Sequence, residues 1–385
     1  FLNPQQFLLT ELSPKSCYLL PGLKRQCSGP RAACWHRCVV RRGEFDTEFC
    51  LGFGQTRPIG AKRVTHMGLG ARHGLIRMNR FQIALQAVFL TALTALPMTL
   101  SAAETVQLGY GRLVNNDFIG DLKDRGQTGS YVSSRIYGKA WAGQLPTRAG
   151  EILEFRLQAD IKAPDNLVTP AAGDRPFAGS VSVGLHTHYQ QSGYEISMGG
   201  ELVATGPHTR LDQFQTALHD GLGVSPPSIA TRGAQIGNQV HPGVIVEMAR
   251  PFTLGERSQL RPFIEARAGV ETLVRAGMDF EIGTLSSNDV MIRDGITGQR
   301  YRTILGGQGG LSFIVGLDTA LVSESAYLPT GRGYTLTDRR DRARAGVYWQ
   351  GKTSHGFFGV SYLGREYTSQ ASEQVVGSIR LALKF

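Results

Sequence analysis

Beyond residue 50 the chain contains no cysteine. Its five cysteines, Cys17, Cys27, Cys34, Cys38 and Cys50, all fall at the start, and no two form a CxxC pair. That spacing matches zinc ligation poorly, and the long remainder needs no disulfide framework. An excess of one charge is also missing from most of the chain. Residues 1–77 carry 12 basic and 4 acidic side chains, whereas 104–385 carry 28 against 27. The formal net charge of +10 is therefore no argument for nucleic acid as a partner. Long apolar runs are scarce too, and the one that stands out is Ile83 to Leu100.

That run follows Met78 and Arg80 and ends in small residues, with Ser101 and Ala103 at the spacing of a signal-peptidase site. Segment 78–103 reads as a secretory signal peptide rather than a transmembrane helix. Such a peptide opens a chain. Segment 1–77 is therefore expected to be unstructured translation of upstream DNA, and 104–385 the mature protein.

The mature part is written in alternation, which predicts strands. In GEILEFRLQADIKAP, Phe155, Leu157, Ala159 and Ile161 oppose Arg156, Gln158 and Asp160. In SVSVGLHTHY, Val181, Val183 and Leu185 oppose Ser182, His186 and His188. Ile264 and Ala266 oppose Phe263, Glu265 and Arg267, and Phe358, Val360 and Tyr362 oppose Gly359 and Ser361. A soluble β-sandwich alternates in the same way. Two features favour a membrane barrel. Charged residues recur on the polar faces, as in a wet lumen opposite a lipid-facing wall. The chain also closes on GSIRLALKF, where Ile379, Leu381, Leu383 and Phe385 alternate up to a final aromatic residue. Such an ending resembles the strand signal read by the barrel assembly machinery of Gram-negative bacteria. The expected fold is all-β: a closed antiparallel transmembrane β-barrel in the outer membrane. At about 9–11 residues per tilted strand, the 282 residues of 104–385 allow about 12 strands.

Four polar stretches could carry chemistry. LVNNDFIGD offers hard oxygen ligands in Asn115, Asn116, Asp117 and Asp121, suited to Ca²⁺ or Mg²⁺, although a polar turn has the same composition. DRGQTGSY supplies the hydroxyls of Thr128 and Ser130. In GDRPFAGS, Pro176 ends regular pairing and Gly179 permits close approach of another segment or a ligand, with an internal Asp–Arg pair as the bland alternative. The last, TGPHTRLDQFQTALHDGLG, departs from alternation. Leu211, Phe214, Leu218 and Leu222 have helical spacing, the first three are expected to pack on something apolar, and Gln215 and His219 share an adjoining face. A histidine there can act as a general base near neutral pH. The HTH pair, His186 and His188, could be a metal pair or a second base, but reads first as hydrophilic lumen.

In that order, NND, DRxxTGS, DRPFAG, and GP followed by QxxxH, these stretches resemble the outer-membrane lipid A 3′-O-deacylases, and the likeness covers essentially all of 104–385. The resemblance implies a 12-stranded barrel with a loop helix near the active site. It implies a Ca²⁺-dependent ester hydrolase that releases the 3′-linked acyloxyacyl chain of lipid A. It implies catalytic His219, an Asn116–Asp117 pair that also holds the metal, and a threonine turn at Thr128, with Gln215 beside the histidine. The chain departs from the family pattern at Gln127, where a tyrosine is usual, and at Gly129 and Ser130. It departs again after the helix, where Gln239 alone matches a Gly-Trp…Gln pattern and Ser225 stands near a missing acidic residue. Two alternatives differ in kind: a non-enzymatic pore or scaffold, and an esterase or phospholipase of another lipid specificity.

Overall fold

The computed structural model describes residues 105–383 except 285–288, 307–308 and 353. The segment 1–77 expected to be upstream translation, the expected signal peptide 78–103 and Phe385 lie outside the described residues. Among the described residues, fifteen strands run in chain order: β1 Val106–Asn116, β2 Gly126–Gly138, β3 Ile152–Ala163, β4 Ala178–Gln191, β5 Tyr194–Thr205, β6 Gln239–Ala249, β7 Phe252–Gly255, β8 Ser258–Ala268, β9 Glu271–Gly283, β10 Val290–Arg293, β11 Arg300–Ile304, β12 Gly310–Ser325, β13 Arg340–Gln350, β14 Ser354–Leu363 and β15 Gln374–Leu383. Two helices, α1 Leu211–Leu222 and α2 Ile229–Gly233, lie between β5 and β6.

Twelve strands close an antiparallel barrel. Neighbours along the chain pair from β1 to β6, β1 pairs with β15, and β6 pairs with β8 to complete the ring. Short β7 pairs only with β8, and β10–β11 is a separate hairpin. Closure satisfies the strand backbone in a medium that offers no hydrogen bonds. The side-chain period sorts as the alternation required: Phe155, Leu157, Val181, Leu185, Ile264, Phe358 and Leu381 are exposed on the outer wall, whereas Arg156, Asp160, His186, His188 and Glu265 are buried within.

The lumen differs from the wet interior expected. The β10–β11 hairpin folds into it, and its residues are buried. Val290, Ile292, Tyr301 and Ile304 pack on inward side chains of the wall, among them Leu113, Val132, Ile136, Ile314, Tyr348 and Phe357. Glycine makes room for it on β1: a Cβ at Gly109 would stand 2.2 Å from the Thr303 carbonyl oxygen, and one at Gly111 2.8 Å from that of Arg302. Ion pairs fill the rest. Asp318 receives Arg342 (2.9 Å) and Arg275 (3.0 Å), and Arg293 bridges Asp279 (2.9 Å) and Glu247 (2.7 Å). Strand alternation reports which face is inward, not what occupies the inside.

Loops 117–125, 164–177, 206–238, 326–339 and 364–373 gather at the end of the barrel where β1 finishes. Long loops mark the extracellular end of such barrels.

Candidate active site

The site begins where β1 ends. Asp117 is the first residue beyond the strand, and the chain curls around it, with the Gly120 and Leu122 N–H groups donating to its carbonyl at 2.8 and 3.2 Å. Its carboxylate accepts from the Arg125 N–H (2.7 Å) and lies 3.5 Å from the Thr128 hydroxyl. Thr128 is aimed there by a bulge: pairing of β2 with β3 slips between Gln127 and Gly129, leaving Thr128 as the extra residue. Asn116 braces the turn with both ends of its amide, donating to the Thr128 carbonyl and accepting from the Phe118 N–H, each at 2.9 Å.

The second half comes from α1. Gly206, at φ 94°, turns the chain out of β5, and a 3₁₀ turn, Pro207–Thr209, leads into the helix. Gly223 ends it in the left-handed conformation at φ 69°. Asp212, Gln215 and His219 share the buried stripe. His219 Nδ1 donates to the Ser225 carbonyl (2.9 Å), and Nε2 faces Asp124 Oδ2 (2.9 Å). Gln215 Nε2 donates to Asp124 Oδ1 (3.2 Å) and lies 3.4 Å from His219 Nε2. The Thr128 hydroxyl also donates to Asp124. Asp117, Asp124, Thr128, Gln215 and His219 therefore form one connected group, with Asn116 behind it.

The helix faces the opposite way from expectation. Phe214, Leu218 and Leu222 are exposed, and only Leu211 packs inward, on Ile161, Ala163, Leu167 and Phe177. The polar stripe meets the protein and the apolar one is exposed. Gly179 serves the close approach expected of it, since a Cβ there would come within 2.9 Å of Leu211 and Thr209. The Asp174 and Arg175 side chains do not form an ion pair with each other, although the Arg175 N–H donates to the Asp174 carboxylate (2.7 Å). Asp174 accepts from the Tyr367 hydroxyl (2.9 Å) and Arg175 binds Glu366 (2.8 Å), so DRPFAG ties loops together. His188 sits on Glu154 (2.8 Å) inside the barrel, away from this group.

Asp124 is the residue that sequence reasoning passed over. It opens the DRGQTGSY stretch, and its position before the threonine was the available signal. Gln374 of β15 was also missed. It holds the 125–127 segment by accepting from the Gln127 N–H (2.8 Å) and donating to the Arg125 carbonyl.

Burial pushes the Asp117 carboxyl up to about 8, and neighbouring Asp124 adds to the rise against the backbone N–H of Arg125. Two carboxylates thus converge on the Thr128 hydroxyl with, among the described residues, no Lys or Arg side chain bonded to either. Among the described residues, no group of three or more His, Cys, Asp or Glu is placed to hold a metal ion. Any cation here would draw on the two carboxylates and on neutral oxygens, a donor set that suits a hard ion. The side-chain oxygen of Gln215 is buried without a protein partner and is one such donor.

Residues 86–385 match the family described as outer membrane protein LpxR. The chain belongs to the LpxR family. LpxR from Salmonella typhimurium is similar in structure, with a TM-score of 0.58 at 16% identity, covering 72% of this chain and all of that one. That likeness confirms the twelve-stranded LpxR barrel and, with the family, places the protein in the outer membrane. Two further barrels share less: a KdgM porin in complex with oligogalacturonate (TM-score 0.32, 7% identity, 73% and 99% covered) and the β domain of the Bordetella autotransporter BrkA (0.34, 12%, 72% and 98%). Neither carries an argument. No curated protein matches the chain.

Proposed function

We propose that the protein is a lipid A deacylase that hydrolyses the ester of the 3′-linked acyloxyacyl chain, with His219 as general base and Ca²⁺ as cofactor. LpxR family membership supports a lipid A deacylase role in general terms. The observation that carries the finer reading is the His219–Asp124–Thr128–Asp117 group beside the outer wall, close to where an outer-leaflet lipid would lie.

The ring's hydrogen bonds assign its roles. The Ser225 carbonyl fixes a proton on Nδ1, so Nε2, which faces Asp124 in the resting site, is the nitrogen that accepts a proton once Asp124 turns away from it. A water proton moves to Nε2 as the water oxygen bonds to the ester carbonyl carbon. The charge of nearby Asp124 then stabilises the imidazolium that forms. Collapse breaks the acyl carbon–oxygen bond, and the imidazolium returns the proton to the leaving sugar oxygen. Gln215 holds Asp124 in place, and Asn116 holds the turn that presents Asp117. Asp117, Asp124 and nearby neutral oxygens would hold the calcium ion, whose charge would stabilise negative charge on the ester carbonyl oxygen. The family's missing acidic residue near Ser225 is compensated at the ring, because the backbone carbonyl takes the Nδ1 proton.

A pore reading is disfavoured by the buried β10–β11 hairpin inside the barrel. The test is hydrolysis of purified lipid A in water enriched in ¹⁸O. Release of the 3′-acyloxyacyl acid carrying one ¹⁸O supports hydrolysis of that ester by cleavage at its acyl carbon. Release of a different acyl chain, or of phospholipid fatty acids alone, moves the protein to another esterase specificity.

A further inference from the structure

We propose that the exposed apolar stripe of α1 is a membrane-contact surface, lying against the acyl chains of the outer leaflet on the outside of the barrel wall. Strand parity places the helix. On β4, Val181 and Val183 face outward, so Gly179 does too, and Gly179 is where Leu211 and Thr209 make their close approach. On β3, Phe155 and Leu157 face outward, so Ile161 does too, yet Ile161 is covered, packed in the cluster that Leu211 joins. The helix therefore sits on the outer surface of the wall, at the upper edge of the lipid-facing band, and not over the lumen.

Its faces then divide between two media. His219 and Gln215 turn to the wall. Phe214, Leu218 and Leu222 turn away from it, exposed to 58%, 46% and 68%, against 40% for lipid-facing Val183. Three large apolar side chains on one helical stripe are costly in water, at about 25 cal/mol per Å² of apolar surface. Continuous with a lipid-facing band, they have a ready partner in acyl chains. Loop 117–125 repeats the pattern across the site: Phe118 and Leu122 are exposed to 69% and 72%, and Leu122 holds a left-handed φ of 61°, a conformation unfavourable for leucine. The occupant is thus a lipid acyl layer rather than a second copy of the chain, because the stripe continues a surface that lipid already covers.

The experiment is bromolipid quenching. Full-length protein carrying L218W or L222W is folded into vesicles of phosphatidylcholine brominated along the acyl chain, and folding is checked by heat-modifiable gel mobility. V183W supplies the lipid-facing reference and R148W, at an exposed loop position on the opposite end, the aqueous one; the signal of the native tryptophans is subtracted. The expected result is a loss of fluorescence at L218W and L222W comparable to that of V183W, with little quenching by aqueous acrylamide. Loss no greater than at R148W, with acrylamide quenching strong, would overturn the proposal. So would weak quenching by both agents together with a dimeric mass, which would assign the face to a second copy. The readout does not involve hydrolysis, so it stands or falls apart from the enzymatic reading.

Discussion

The lumen and the outer-wall site both hold acidic side chains, but they satisfy them differently. Inside the barrel, Asp318 and Asp279 each meet arginines at hydrogen-bonding distance. At the site, Asp117 and Asp124 meet a backbone N–H, a threonine hydroxyl, a glutamine amide and a histidine. A buried charge held by an opposite charge is spent on structure, and removing one partner exposes the other's desolvation. Carboxylates gathered without a cation keep the capacity to bind one or to stabilise one as it forms. The contrast separates the residues that hold the barrel from those that could do chemistry.

Breaking the site should cost activity and little stability. His219→Ala is expected to lower the rate of lipid A hydrolysis by about 10²–10⁴-fold, the usual worth of a general base, with unchanged heat-modifiable mobility. Breaking the lumen should do the reverse. Asp318→Ala leaves Arg342 and Arg275 facing each other without their acid and should cost about 3–5 kcal/mol in urea unfolding, with the rate per folded molecule retained. Asp124→Asn sharpens the comparison within the site. It keeps the shape but removes the charge beside Nε2, and about 1.5–3 kcal/mol, roughly 10–100-fold in rate, is expected from a charge-assisted hydrogen bond.

The smallest effect concerns pH. The Asp117 carboxyl is raised by burial from 3.8 to about 8, so the folded chain holds its proton where the unfolded chain has lost it. In chelator, its contribution to stability is full below about 4 and is lost as pH rises through about 8. The difference in unfolding midpoint between wild type and Asp117→Asn, followed from pH 4 to 9, should change with that sign, and a flat difference would remove Asp117 from the account.

The barrel was legible in the sequence because a period of two runs through long stretches of the wall, as Phe155 to Ile161 and Ile379 to Leu381 show. The β10–β11 hairpin was not. VMIR and RYRTI are too short to announce a side, and their burial depends on glycines far away on β1. The helix was legible from Leu211, Phe214, Leu218 and Leu222, but its orientation was not, since apolar spacing cannot say whether core or lipid lies opposite. Asn116, Asp117, Thr128, Gln215 and His219 do come together in space. Asp124 escaped notice because its partner His219 lies on a different loop, and the Ser225 carbonyl because a backbone acceptor leaves no mark in residue identity.

One measurement tests the contrast most directly: mass spectrometry of lipid A incubated with wild type, His219→Ala and Asp318→Asn, each folded in detergent, with Ca²⁺ and with chelator. The account expects loss of the 3′-acyloxyacyl mass with wild type and with Asp318→Asn in calcium, and with neither in chelator, while His219→Ala leaves lipid A intact. Equal deacylation by His219→Ala, or none by folded wild type in calcium, would contradict it.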